Sequence, residues 1–85
     1  MSTRPLRTRS VVLPELELPG VPITVVAWLV RVGEQVLEGD RLLEILAGEV
    51  AMEIDSPATG ILIEKRVDVE DAVALGQVLG VVRER

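Results

Sequence analysis

Apolar residues in this chain fall in short runs, and they do not recur at the spacing of an amphipathic helix. The runs at 23–30, 41–46, 50–54, 60–67 and 78–82 are rich in valine, isoleucine and leucine, which is typical of strands. Turn-forming pairs separate them: Pro19-Gly20, Gly33-Glu34, Gly39-Asp40, Ser56-Pro57 and Gly76-Gln77. The pattern predicts an all-β domain of six to eight short strands. The stretches 34–38 and 71–75 are too short and irregular to predict helices.

An internal repeat with an offset of 37 residues runs through the chain. It is carried by Val30, Val32, Val36, Gly39 and Leu42, which recur as Val67, Val69, Val73, Gly76 and Leu79. Each half alone would leave a sheet with an uncovered apolar face, so the halves must pack together. We therefore predict a flattened β-barrel or sandwich of two small antiparallel sheets with pseudo-twofold symmetry. The symmetry would place the turn at Gly48-Glu49 at one end of the domain and both chain termini at the other.

That turn is predicted to be the tip of a tight β-hairpin. In Ala47-Gly48-Glu49-Val50, Gly48 would occupy the first central position of a type II′ turn, where a positive φ is required. Alternation along the flanking strands predicts which side chains point inward and which outward. The inward set is Leu43, Ile45, Ala47, Val50, Met52 and Ile54, and the outward set is Glu44, Glu53 and Asp55. We expect the side chain of Glu49 to be fully exposed to solvent.

Composition limits the chemistry that this chain can perform. Its 85 residues make one small domain, and 48% hydrophobic residues against 27% charged residues allow a core. There is no cysteine and no histidine, so disulfides, thiolate zinc sites, thiol nucleophiles and the commonest general base are excluded. There is also no tyrosine. We predict no catalytic residue and no metal site, so an independent enzyme is not expected.

The charge balance sets expectations about partners and location. Nine basic and fourteen acidic residues give a net charge of −5, so we expect neither nucleic acid nor an anionic membrane as a partner. Arg4, Arg7 and Arg9 are the exception, and they predict a flexible basic tail over 1–10, with a targeting or docking arm as the alternative. The folded domain is predicted over 11–83. Since no apolar run approaches a membrane span and no signal peptide is recognisable, we expect a cytoplasmic protein.

The order and spacing of several short motifs resemble those of lipoyl domains, as found in the acyltransferase component of 2-oxo acid dehydrogenase complexes. The motifs are Leu13-Pro14-Glu15-Leu16, Ala27-Trp28-Leu29-Val30, Glu38-Gly39-Asp40, Leu42-Leu43-Glu44-Ile45, Ser56-Pro57-Ala58-Thr59-Gly60 and Gly76-Gln77-Val78-Leu79. The resemblance covers nearly all of 11–83. It implies a barrel-sandwich fold and, in the family, a lipoyl group that is attached to a lysine at the hairpin tip and carries acyl groups between enzymes. Biotinyl domains share this fold.

The sequence departs from the family at the attachment turn. Counting back from Ser56-Pro57 and Gly60 places Glu49 where the family has its acceptor lysine, and a carboxylate cannot form the amide. The preceding acid, hydroxyl and aspartate of the family pattern are also replaced. We therefore expect no cofactor, with lipoate bound only if this assignment of the acceptor position is wrong. The only lysine is Lys65, which is expected to be an ordinary outward strand residue beside Glu64 rather than a substitute acceptor.

Two further features have alternative interpretations. The loop from Glu15 to Pro22 mixes acids with leucines and, by the resemblance, lies beside the hairpin tip. It is either a plain connection or a recognition surface, and the candidate recognition residues are Leu16, Glu17, Leu18 and Glu49. The sole aromatic residue, Trp28, is expected to be partly buried for packing, with a partner contact as the alternative.

These observations support three functional hypotheses. The first is a lipoyl-like domain that cannot be lipoylated and acts by protein–protein contacts, with components of 2-oxo acid dehydrogenase complexes as the candidate partners. The second is an acyl-carrier domain of such a complex that is seen with an altered acceptor site. The third is a structural role, for example in forming oligomers through an edge strand. The sequence does not determine the oligomeric state.

Overall fold

The chain folds into two antiparallel sheets that pack face to face. In the computed structural model, which describes residues 7–17 and 20–85, the strands are β1 (Thr8–Val12), β2 (Ile23–Trp28), β3 (Gln35–Val36), β4 (Arg41–Ala47), β5 (Val50–Asp55), β6 (Gly60–Lys65) and β7 (Val78–Glu84). The first sheet has the order β1-β7-β6-β3 and the second has the order β2-β4-β5. The described residues contain no helix. The predicted all-β class and two-sheet architecture are confirmed.

Apolar side chains from the facing surfaces of the two sheets form the core. Ile45 of one sheet and Leu62, Leu79 and Val82 of the other are fully inaccessible to solvent. Trp28 packs at the edge of this core and is half-buried, as expected, and its Nε1 donates a 2.8 Å hydrogen bond to the carbonyl oxygen of Val67. Each sheet therefore covers the apolar face of the other, so neither sheet would be stable alone.

Hydrogen bonds between the halves obey the predicted pseudo-twofold symmetry. The amide of Val25 donates to the carbonyl of Asp71 at 3.0 Å, and the amide of Leu62 donates to the carbonyl of Glu34 at 3.1 Å. The 37-residue offset relates the two donors, Val25 and Leu62, and also the two acceptors, Glu34 and Asp71. In the same way β2 corresponds to β6, and β4 corresponds to β7. The outer strand β5 pairs with β4, and the outer strand β1 pairs with β7. The internal repeat is thus a structural repeat.

The β-bulges of the two sheets follow the same symmetry. The register of β2 against β4 shifts between Val25 and Ala27, and that of β6 against β7 shifts between Leu62 and Glu64. The extra residues at these bulges are Val26 and Ile63, which are 43% and 39% exposed. A bulge takes the extra residue out of the inward–outward alternation, so these two apolar side chains lie on the surface although the preceding residues, Val25 and Leu62, are buried.

The strand boundaries differ from the prediction at two places. Residues 8–10, expected in a flexible tail, extend β1, because Thr8, Arg9 and Ser10 pair with Arg83, Val82 and Val81 of β7. Because these three strand residues are polar, they do not belong to an apolar run. The sequence pattern therefore placed the start of the folded domain at Val11. Arg4 and the rest of the predicted tail before Arg7 lie outside the described residues. The short strand β3 was not predicted, since two residues are too few to show alternation.

Candidate functional site at the hairpin tip

The β4–β5 hairpin ends in the predicted two-residue turn. Ala47 and Val50 are the last paired residues, with Gly48 and Glu49 between them. Gly48 has a φ of 60°, whereas Glu49 does not have a positive φ. This combination distinguishes a type II′ turn from a type I′ turn, in which both central residues need positive φ. The side chain of Glu49 is exposed, as predicted.

The inward set of the hairpin is confirmed except at one end. Leu43, Ile45, Ala47 and Ile54 are buried, and Met52 is half-buried against the core. Val50, which alternation placed inward, is instead 48% exposed. Val50 lies on β5, the edge strand of its sheet, so its side chain is open to solvent although its pairing partner Ala47 on the central strand β4 is buried. The tip therefore presents an apolar side chain directly beside the Glu49 carboxylate.

A second segment is fixed against this turn. The amide of Gly48 donates a 3.0 Å hydrogen bond to the carbonyl of Pro22, and a Cβ added to Gly48 would lie 3.4 Å from the side chain of Val21. Further back in the same loop, Leu16 is half-buried against the core and Glu17 is exposed. The described parts of this loop, residues 13–17 and 20–22, therefore lie at the tip end of the domain.

Of the four candidate recognition residues, the structure places three at this end. Leu16 is held by packing, whereas Glu17 and Glu49 present their carboxylates to solvent. The fourth, Leu18, lies outside the described residues. Val50 and Val21 were not among the candidates. The place of Val50 directly after the two turn residues could have indicated it, whereas no local sequence signal places Val21 beside Gly48.

The start of β1 and the end of β7 lie together at the opposite end of the domain. The amide of Glu84 donates to the carbonyl of Arg7 at 2.8 Å, and the amide of Arg85 donates to the carbonyl of Thr59 at 3.0 Å. Thr59 is the last residue of the loop after Asp55, and Asp55 pairs with Arg41, the first residue of β4, at the base of the hairpin. The hairpin tip and the terminal residues that are described therefore lie at opposite ends, as the symmetry predicted.

Lys65 lies within a strand rather than in a turn. It pairs with Gly80 of β7, and its Nζ atom is 5.1 Å from the centroid of the Trp28 ring. The side chain is half-buried. An ammonium group above an indole face gains a cation–π interaction of about 0.5–1 kcal/mol, so the side chain has a preferred position against the domain.

No other group in the described chain suggests chemistry at this end. Within residues 7–17 and 20–85, no three acidic side chains are placed together so that they could hold a metal ion. A shallow depression of about 380 Å³ is lined by Gln35, Val36 and Arg85 among others, at the end away from the tip. None of the described residues belongs to a helix long and apolar enough to cross a membrane.

Comparison with known proteins agrees with this architecture. The biotin/lipoyl family model, described as "Biotin-requiring enzyme", matches residues 15–82. The lipoyl domain of the 2-oxoglutarate dehydrogenase complex from Azotobacter vinelandii superposes with a TM-score of 0.69 at 26% sequence identity. The match covers 88% of this chain and 98% of that domain. The fold is thus that of a lipoyl or biotinyl domain, and the chain belongs to the biotin/lipoyl attachment domain family.

Relatives of known function contain this domain as a small part of a longer chain. The dihydrolipoyllysine-residue acetyltransferase component of the pyruvate dehydrogenase complex from Corynebacterium glutamicum is 34% identical over 73 residues. The succinyltransferase component of the 2-oxoglutarate dehydrogenase complex from Bacillus subtilis is 32% identical over 72 residues. The matches cover 86% and 85% of this chain, but only 11% and 17% of the relatives. The similarity therefore concerns one domain and not the catalytic remainder of those acyltransferases.

Proposed function

We propose that this domain carries no lipoyl group and acts as a protein–protein interaction or assembly module of a 2-oxo acid dehydrogenase complex in the cytoplasm. The observation that supports this proposal most directly is the residue at the hairpin tip. Glu49 occupies the second central position of the turn, exposed and on a well-formed hairpin. Lipoylation requires an amine that can form an amide, and the glutamate carboxylate provides none.

The position of Lys65 supports the same proposal. It is the only lysine in the chain, and its ammonium group lies over Trp28 within a paired strand. A modifying ligase must bring a lysine into its active site, which a protruding turn allows and a paired strand hinders. Modification at Lys65 would also sacrifice the cation–π contact. We therefore expect Lys65 to remain unmodified.

The geometry of the tip end is suited to contacts with another protein. The hydrogen bond from Gly48 to Pro22 fixes the turn against the loop, so the two segments present a single surface. We propose that partners contact this surface through Leu16, Glu17, Leu18 and Glu49. Because little conformational freedom is lost on binding, such a preformed surface has a smaller entropic cost of association than a flexible loop.

The first experiment is an intact-mass measurement on the protein isolated from its own cells, with peptide mapping across Glu49 and Lys65. The expected result is the unmodified mass. A lipoyl or biotinyl adduct at either position would contradict the proposal. The interaction itself is tested by sedimentation of the purified protein with each purified component of the host's 2-oxo acid dehydrogenase complexes. Comigration with one component is expected, and comigration with none would contradict it.

A second candidate is an acyl-carrier domain with an altered acceptor site. The names of the relatives favour it, since those of Corynebacterium glutamicum and Bacillus subtilis are both dihydrolipoyllysine-residue acyltransferase components. This candidate requires that the natural gene encode a lysine at position 49. Sequencing that codon in genomic DNA decides between the two candidates.

A further inference from the structure

The end of the domain that carries the hairpin turn combines exposed apolar side chains with formal charges of a single sign. We define the tip surface as residues 15–17, 20–22, 46–51 and 71–76. The last of these segments belongs here because the amide of Val73 donates to the carbonyl of Ile23 at 2.9 Å and Ile23 pairs with Ala47. Within this surface Leu46, Val50 and Leu75 are 38%, 48% and 48% exposed.

All formal charges on the tip surface have the same sign. It contains Glu15, Glu17, Glu49 and Asp71, and its segments include no lysine or arginine. The salt bridges within the described chain join Arg9 to Glu84, Arg41 to Glu53 and Arg66 to Glu64, so none of them neutralises a carboxylate of this surface. The potential at the tip is therefore negative.

The opposite end has a different composition. The paired ends of β1 and β7 place four arginines there, which are Arg7, Arg9, Arg83 and Arg85. The domain thus has an electrostatic polarity along the hairpin axis, with unopposed carboxylates at the tip and mixed charge at the base. A field of this kind orients an approaching cationic partner toward the tip and repels an anionic one.

We infer that the tip surface binds a protein segment that presents an arginine or lysine beside apolar side chains, with Glu49 pairing with that cation and Val50 packing against those apolar side chains. This inference rests on the proposed interaction role and specifies the partner's chemistry. The type II′ turn supports it because Glu49 and Val50 are adjacent, so one partner site can receive the charge and the apolar group together. Arginine suits this pairing best, because its guanidinium group forms two parallel hydrogen bonds with a carboxylate.

The test uses a matched pair of synthetic peptides and the intact chain. One peptide is an amphipathic helix of leucine and arginine, and the other has every arginine replaced by citrulline, which keeps the shape and removes the charge. Each is titrated into isotopically labelled protein while backbone amide resonances are recorded. The expected result is that the arginine peptide shifts the resonances of Glu49, Val50 and Leu75, and that the citrulline peptide does not.

Two protein variants locate the effect. Glu49→Gln is expected to weaken binding of the arginine peptide roughly tenfold, because the substitution removes one charge-assisted contact. The control is Glu38→Gln, which removes the same charge from an exposed position at the opposite end. Because salt screens a charge that is distant from the bound peptide, we expect the affinity to change by no more than about twofold. Equal losses in the two variants would show attraction by net charge alone and would overturn the inference.

The outcomes also separate this inference from the proposed function. If a dehydrogenase component comigrates with the protein but neither peptide shifts the tip resonances, the interaction role stands and the cationic partner surface is wrong. If the arginine peptide binds at the tip as expected and no dehydrogenase component comigrates, the tip chemistry stands and the assignment to that complex is wrong. Shifts centred on Val26 and Ile63 instead would place the docking surface on the bulges and overturn the inference.

Discussion

Lys65 and Trp28 are equivalent residues of the two structural halves, and they contact each other, with the Lys65 Nζ atom 5.1 Å from the centroid of the Trp28 ring. Residues that correspond under a twofold axis can meet only where they lie close to that axis. The two halves have thus diverged at the position where they touch. The indole also takes the space over Gly80, where an added Cβ would lie 3.2 Å from its Cη2 atom, whereas the residue equivalent to Gly80 is Leu43.

Removing the charge of Lys65 should weaken the domain slightly. Lys65→Gln loses the cation–π contact, and we expect the free energy of unfolding to fall by about 0.5–1 kcal/mol. Urea unfolding followed by the fluorescence of Trp28 measures this directly. Lys65→Arg keeps a cation over the ring and is expected to retain most of the stability. Equal losses in both variants would show that the charge over the ring contributes nothing to stability.

Replacing Trp28 separates its hydrogen bond from its packing. Trp28→Phe removes the donor to the Val67 carbonyl but keeps an aromatic ring, and we expect a loss of about 1–3 kcal/mol from the unsatisfied carbonyl and the smaller ring. Trp28→Ala should lose about 3–5 kcal/mol because it also leaves a cavity over Gly80. Calorimetric unfolding of both variants checks the order. Similar losses would show that packing contributes little here.

Gly60→Ala should be the most damaging glycine substitution. An added Cβ would lie 1.9 Å from the backbone oxygen of Arg83, in the pairing of β6 with β7, so the strands must separate locally. We expect a loss of at least about 3 kcal/mol, comparable to severe core overpacking. Gly39→Ala is the control, since it has open space and only the strain of its φ of 89°, which costs about 1–2 kcal/mol. A smaller loss in Gly60→Ala than in the control would contradict the described strand pairing.

Glu49→Lys tests the assignment of the attachment position. The substitution places an exposed amine on an unchanged type II′ turn, so we expect incubation with lipoate, ATP and a lipoate–protein ligase to add one lipoyl group. Intact mass and peptide mapping identify the product. The unsubstituted protein, which keeps Lys65, is expected to remain unmodified under the same conditions. Failure to modify the introduced lysine would mean that the residues flanking the tip also decide recognition by the ligase.

The architecture is predictable from the sequence because the residues that recur in the internal repeat have structural roles. Gly39 and Gly76 recur since both turns need positive φ, with values of 89° and 83°. Leu42 and Leu79 recur since both are fully buried. The hairpin tip is likewise predictable from Gly48. The exposure of Val50 is not predictable from the sequence, because alternation gives the direction of a side chain and not whether other parts of the chain cover it.

The sequence by itself determined the all-β class, the twofold repeat, the hairpin turn and the glutamate at its tip, because each depends on residues that are close in the chain or on a fixed periodicity. Only the tertiary structure decided which side chains meet across the halves. The contact between Lys65 and Trp28, the packing of Val21 against Gly48 and the extension of β1 to Thr8 all depend on segments that are distant in the chain. Such contacts arise from the docking of two sheets, and no local pattern records where those sheets touch.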